Sequence, residues 1–111
     1  MNDLIQRITN AIFRQEDMPL TWPNPGNLRS APWLSSPHIS NGFWVPANRT
    51  QGIAGAAHCV ALRIAMGQSL RQLISAWAPL SDGNATSTYI KNVSQWANIP
   101  DVDEPLENLI A

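Results

Sequence analysis

The sequence predicts a small, mainly α-helical domain with one irregular insert. Three observations lead there. Apolar residues recur at helical spacing in four separate stretches. Each stretch is bounded by a capping residue, a glycine or a proline. Between the first and second, residues 19 to 49 hold eight Pro and Gly residues (Pro19, Pro23, Pro25, Gly26, Pro32, Pro37, Gly42, Pro46), which suits turns and not a helix. The 111 residues fit one domain, 1–111, around one modest core. Hydrophobic residues make up 44% and charged residues 14%, so the chain can bury a core and is no disordered tail.

The first helix is expected from Asp3 to about Asp17, capped by Asn2 or Asp3. Leu4, Ile5, Ile8, Ala11 and Ile12 form its apolar stripe, and Pro19 ends it. In the insert, short strands around Leu28 and over 42–45 are expected to pair across the turn "SSPHISNG". Thr50 is the expected cap of a second helix, with Ile53, Ala56, Ala57, Val60, Ala61 and Ile64 on one side and Gly67 just beyond its end. Ser69 caps a third, with Leu70, Leu73, Ile74 and Trp77 inward and Pro79 after it. Thr86 or Ser87 starts a fourth, carrying Tyr89, Ile90, Val93, Trp96 and Ala97, and Pro100 closes it. Asp103 and Pro105 open a last short helix reaching Ile110.

Composition excludes some functions. The net charge is -1, with no Lys/Arg run or basic helix face, so a nucleic-acid binder held by phosphate contacts is not expected. No apolar run approaches the roughly 20 residues of a membrane helix, so stable membrane insertion is not expected. "MNDLIQRITN" lacks the basic-then-apolar pattern of a signal peptide. Cys59 is the only cysteine, so no internal disulfide can form. His38 lies in a loop with no carboxylate or Cys at metal-ligand spacing, His58 is expected as a surface or satisfied residue, and no cofactor is called for. His58 and Cys59 diverge by about 100° on a helix and cannot act as a nucleophile–base pair; a buried, inert thiol is expected. Three Asn-x-Ser/Thr triplets read as chance.

One residue breaks the pattern. Four positions beyond Ile12 in the apolar stripe stands Glu16, on the core side of the last turn. Desolvation and the negative helix end would both raise its pKa. Local rules favour Lys or Arg there, and such violations cluster at functional sites. A protonated, pre-positioned Glu is what a general acid for glycosidic cleavage requires. The plainer alternative is a Glu bonded to a backbone N–H of the next turn, or exposed at a frayed end. Asp17 lies about 100° further round, toward solvent. Five tryptophans either fill the core or floor a groove for sugar rings. Trp77 and Trp96 fall on helical apolar faces and are expected in the core. At least one of Trp22, Trp33 and Trp44 is expected in the groove.

The string "NPGNLR" (24–29), after a helix ending in Glu, resembles a group of phage and prophage proteins with an Asn-Asn-Pro-Gly-Asn-Ile/Leu-Arg motif. "ISAWAPLSDGNATSTYIKNVS" (74–94) and, more loosely, "GFWVPANRTQGIAGAA" (42–57) resemble the same group. The likeness covers roughly residues 8 to 98. The group is described as virion-associated and lysozyme-like, and is similar to soluble lytic transglycosylases. The resemblance implies a lysozyme-like fold, peptidoglycan glycan strands as substrate, other virion proteins as further partners, and a place in the virion or host cytoplasm with delivery to the cell wall. It implies Glu16 as catalytic acid, and Asn24, Asn27, Asn84, Thr86 and Tyr89 as residues lining the cleft or holding the acid; Trp22 and Trp44 join them as candidate sugar platforms. Two departures stand out: Pro23 replaces the motif's first Asn, and the middle segment is short.

No second acid has a compelling position. Asp82 is the best spare, and Asp101, Asp103, Glu104 and Glu107 lie in the tail. That favours a lytic transglycosylase, which needs one acid/base, or an enzyme that uses Asn or Thr to place a water, over a hydrolase that needs two carboxylates. The expectation is therefore a peptidoglycan muramidase or lytic transglycosylase. The alternative is a non-catalytic structural or adaptor virion protein on the same scaffold. Arg29 is expected to fix its loop through a salt bridge or carbonyl bonds.

Overall fold

The computed structural model describes residues 3–110. Helix α1 spans Asp3–Glu16 and presents Leu4, Ile8, Ala11 and Ile12 to the core, the stripe its 3.6-residue period requires. The proposed Asn2 cap lies outside the described residues. Asp17 takes φ +48°, a left-handed residue that ends the helix two positions before Pro19.

The insert follows. Its sheet is a two-stranded antiparallel hairpin, β1 (Ile39–Ser40) with β2 (Phe43–Trp44). The expected pairing of 42–45 with the region of Leu28 is corrected here: β2 pairs with β1 across Asn41-Gly42, and both turn residues adopt positive φ. Leu28 contributes one backbone bond, its carbonyl accepting from the Trp44 amide at 3.0 Å.

Helix α2 spans Arg49–Ala65. Its cap is Asn48 and not Thr50: the Asn48 side chain accepts from the Gln51 amide at 2.8 Å. Gly67 has φ +77°, as expected of a residue just past a helix end. Ser69 caps α3 (Leu70–Trp77) in a reciprocal capping box with Gln72. A 3₁₀ turn at Leu80–Asp82 leads to α4 (Thr86–Ala97). The last expected helix is a shorter 3₁₀ turn, Leu106–Leu109. It is stitched to the start of α3 by Leu106 N–H to the Gln68 carbonyl and Arg71 N–H to the Val102 carbonyl, both 2.9 Å.

One apolar core joins these elements. Ile8 and Ile12 of α1, Val60 of α2, Leu70, Leu73 and Ile74 of α3, and Val93 and Ala97 of α4 are fully enclosed, with Ile99 and Leu106 closing the end. Helix α1 packs on α4 and α2, and α3 packs on α4. Trp77 and Trp96 are half-buried against this core, and Arg14 lies 4.1 Å over the Trp96 ring. No helix among the described residues is long and apolar enough to cross a membrane.

Small residues on α2 let the insert press close. A Cβ on Gly52 would fall 1.8 Å from the Pro23 carbonyl oxygen, and one on Gly55 would fall 2.6 Å from the Trp44 ring. The obstacle at Gly52 is backbone, which cannot swing aside. Gly52→Ala is therefore expected to cost about 3 kcal/mol or more, read from the urea midpoint. Wild-type stability in that variant would contradict this packing.

Candidate active site

Glu16 sits where the α1 stripe places it, one turn beyond Ile12 and half-buried. Tyr89, from the first turn of α4, donates its hydroxyl to Glu16 Oε2 at 2.7 Å. The Asn27 side-chain amide lies close enough to Glu16 to act on its carboxyl as well. Burial is the largest influence on this carboxyl and pushes its pKa above the ordinary value. The bonds from Tyr89 and Asn27 pull the other way without cancelling it. The Tyr89 hydroxyl is pushed far above its own ordinary value by burial, then by the charge and hydrogen bond of Glu16. It therefore stays a donor across the working pH range.

The asparagines of the 24–29 loop have different jobs. Asn24 is fully buried. Its Nδ2 donates to the Leu28 carbonyl at 2.8 Å and to the Trp44 carbonyl at 2.9 Å, and its Oδ1 accepts from the Leu28 amide at 3.0 Å. One side chain thus fastens the loop to itself and to β2, in the way buried amides are retained when every bond is made. Asn27 closes the turn, its amide donating to the Asn24 carbonyl at 2.9 Å, and adopts φ +52°. That left-handed conformation accompanies its approach to Glu16. Trp22 Nε1 donates to Asn27 Oδ1 at 3.3 Å and so orients the amide. Beneath the loop, Trp77 Nε1 donates to the Gly26 carbonyl at 2.9 Å, and the bare Gly26 Cα lies against the Trp77 ring.

Glu16 and Asn27 open onto a cleft of about 540 Å³. Cys59, Leu62 and Arg63 of α2 and its C-cap Met66 line it, as do Arg29, Trp33 and Phe43 of the insert, Trp77 at the end of α3, and Asp82 and Asn84 beyond it. Arg29 Nε lies 3.3 Å from Asp82 Oδ2, and its guanidinium sits 4.6 Å over the Phe43 ring. This pair links the insert to the turn before α4. Both partners are partly exposed, so its contribution is small. The Cys59 thiol is half-buried, and burial raises its pKa against the opposing charge of Arg63. Among the described residues no group of three or more His, Cys, Asp or Glu could hold a metal ion.

Of the residues singled out in the sequence, Glu16, Asn27 and Asn84 line the cleft, and Tyr89 reaches Glu16 from the core side. Asn84 also donates to the Pro79 carbonyl at 3.1 Å. Thr86 is buried and donates to the Ala78 carbonyl at 2.6 Å, so it anchors the start of α4. Three expected substrate contacts are corrected. Trp44 is 1% exposed, edge-to-face with Trp33 at 5.6 Å and seated over Gly55, so its ring is closed to a sugar. Asn24 is enclosed by its own loop. Trp22 is half-buried on Asn27 and does not line the cleft. The tryptophan at the cleft from the insert is Trp33, joined by Trp77 from α3. Sequence reasoning missed Leu62, Arg63 and Met66. Their spacing from Cys59 was the available signal: i, i+3, i+4 and i+7 mark one helix face.

Comparison with family models, with curated proteins and with solved structures returned no match for this chain.

Two stability measurements test this geometry. Asn24→Ala takes the Asn24 partner from the Trp44 carbonyl and the Leu28 amide and removes one of two bonds to the Leu28 carbonyl, and is expected to cost about 3 kcal/mol; a loss under about 1 kcal/mol would mean that the loop does not depend on the clamp. For Glu16, the folded pKa is raised, so ionisation opposes folding. The penalty is absent well below the unfolded value of 4.5 and complete above the folded value. Glu16→Gln, which keeps the Tyr89 partner, is expected to melt above wild type at neutral pH. The gap should close as pH falls below 4.5. A gap that is independent of pH would contradict the raised value.

Proposed function

We propose that the chain is a peptidoglycan-cleaving enzyme of lysozyme-like fold, with Glu16 as the single general acid/base and lytic transglycosylase chemistry as its reaction. The observation that carries this reading is a half-buried carboxyl, held above the ordinary carboxylate range, opening on a cleft with two indoles. The resemblance of 24–29 and 74–94 to the phage lysozyme-like group points the same way, and with it to a virion or prophage setting.

In this mechanism the protonated Glu16 donates to the glycosidic oxygen as the bond from C1 breaks. The resulting carboxylate is steadied by the Tyr89 hydroxyl and the Asn27 amide. It then takes the proton from the sugar's own C6 hydroxyl as that oxygen attacks C1, which closes an anhydro ring and restores the acid. No water and no second carboxylate are needed. That suits a cleft whose other carboxylate, Asp82, is held by Arg29. Trp33 and Trp77 offer ring faces or edges to the sugars. Asn24 and Thr86 support this machinery without touching substrate.

The second reading, a structural or adaptor virion protein on the same scaffold, is favoured by Pro23 standing where the group's motif has a polar Asn. Digestion of purified peptidoglycan separates the two. Wild type is expected to release anhydro-ended fragments by mass, and Glu16→Gln at least about 10²-fold less. Reducing-ended fragments would replace ring closure by hydrolysis. No fragments from folded wild type would favour the structural role. Tyr89→Phe removes a bond that lowers the Glu16 pKa, so the alkaline limb of kcat/KM is expected to move to higher pH while the rate falls. An unmoved limb would detach Tyr89 from the acid.

A further inference from the structure

Three side chains of α2 and that of its C-cap, Met66, which the proposed reaction does not use, share one face. Cys59, Leu62, Arg63 and Met66 stand at i, i+3, i+4 and i+7, and all line the cleft that holds Glu16. Such a stripe normally packs into a core. Here Leu62 is 47% and Met66 65% exposed. A cation stands in the middle of this apolar strip. Arg29, the other cleft arginine, is paired with Asp82. Among the described residues Arg63 has no carboxylate within ion-pair distance. When Glu16 carries its proton, and Arg29 and Asp82 cancel, the cleft keeps one net positive charge, on Arg63.

We propose that this face of α2 binds a carboxylate-bearing, methyl-rich substituent projecting from the sugar strand, with Arg63 as the specificity-determining residue. The inference rests on the glycan-cleft reading given above. A neutral glycan offers Arg63 only uncharged hydroxyl and acetamide oxygens, and only edges to Leu62 and Met66. A lactyl ether or an alanyl peptide offers both a carboxylate and methyl groups. The guanidinium fork matches a carboxylate with two parallel bonds, and the flexible Met66 side chain adapts to small methyl groups. The strip from residue 59 to residue 66 is about 10 Å long at helical rise. An extended substituent of about three residues spans the same length. The cleft therefore distinguishes peptidoglycan strands from neutral amino-sugar polymers by charge as well as by shape.

The test is binding measured on Glu16→Gln, so that no turnover consumes ligand, beside the same protein also carrying Arg63→Gln. Arg63 lies on a half-exposed face, and matched thermal melts establish that both fold. Three soluble strands of equal length serve as probes: peptide-bearing strands, strands stripped of peptide but keeping the lactyl carboxylate, and neutral N-acetylglucosamine oligomers. Peptide-bearing strands are expected to bind about tenfold tighter than neutral ones, the difference one charge-assisted pair supplies. Arg63→Gln should erase that preference by weakening the charged strands about tenfold, and added salt should weaken it in the protein that keeps Arg63. In peptide-bearing strands the lactyl carboxyl is tied up as an amide, so the carboxylate there belongs to the peptide; stripped strands that bind as tightly show that a freed lactyl carboxylate serves the same site, and weaker binding assigns the site to the peptide. Equal affinity for charged and neutral strands, binding to none, or a preference that survives Arg63→Gln overturns the inference. These outcomes are separate from whether wild type cuts peptidoglycan, which the fragment masses decide.

Discussion

The hydrogen bond from Tyr89 to Glu16 is the contact on which the rest of the candidate site depends. It joins the last residue of α1 to the first turn of α4, two elements that meet through Ile8, Ile12, Ile90 and Val93. A carboxyl at the end of a solitary helix would turn into water. Here α4 covers it, and the covering residue carries a donor whose own pKa lies too high for it to be lost. The start of α4 is fixed in turn by Thr86, bonded back to Ala78, so that Tyr89 falls three positions later and meets the acid. Burial raises the carboxyl and the two donors restrain the rise, which leaves a group able both to give and to retake a proton.

The insert does for the cleft what α4 does for the acid. Its prolines and glycines permit a chain path that no helix or long strand could follow, and Asn24 replaces the missing regular hydrogen bonds with three of its own. Trp44 fills the space beneath, over Gly55 of α2, whose missing side chain allows the close approach. With that platform rigid, Asn27 holds a left-handed conformation beside Glu16. Two asparagines three positions apart thus divide the work. One is scaffold and the other faces the acid.

Helices were legible because their apolar periods, caps and terminating residues agree with one another. Ser69 with Gln72, and Gly67 before them, are local signals that tertiary structure had no reason to override. Glu16 was legible for the opposite reason: it violates the period around it. The insert was not. Hairpin pairing there is decided by Asn41-Gly42, two residues that tolerate positive φ and that lie inside the longer turn expected between Leu28 and 42–45. Nor could sequence say which indole faces outward. Trp33 and Trp44 carry the same chemistry in the same segment and both lie against Gly55, and only the assembled fold encloses Trp44 while leaving Trp33 at the cleft. The α2 wall went unread because an apolar helical stripe ordinarily means core, and exposure of Leu62 and Met66 is a property of the assembled fold.

All of this converges on one quantity, the proton affinity of a single carboxyl. The direct measurement is a carbon-detected NMR titration of the Glu16 side-chain carboxyl in the folded protein. A midpoint clearly above the ordinary glutamate value of 4.5 is the predicted result, with burial outweighing the Tyr89 and Asn27 bonds. A midpoint at or below that value would mean that the carboxyl is solvated or dominated by its donors. It would then be an anion at neutral pH, and the account of Glu16 as a general acid would fail.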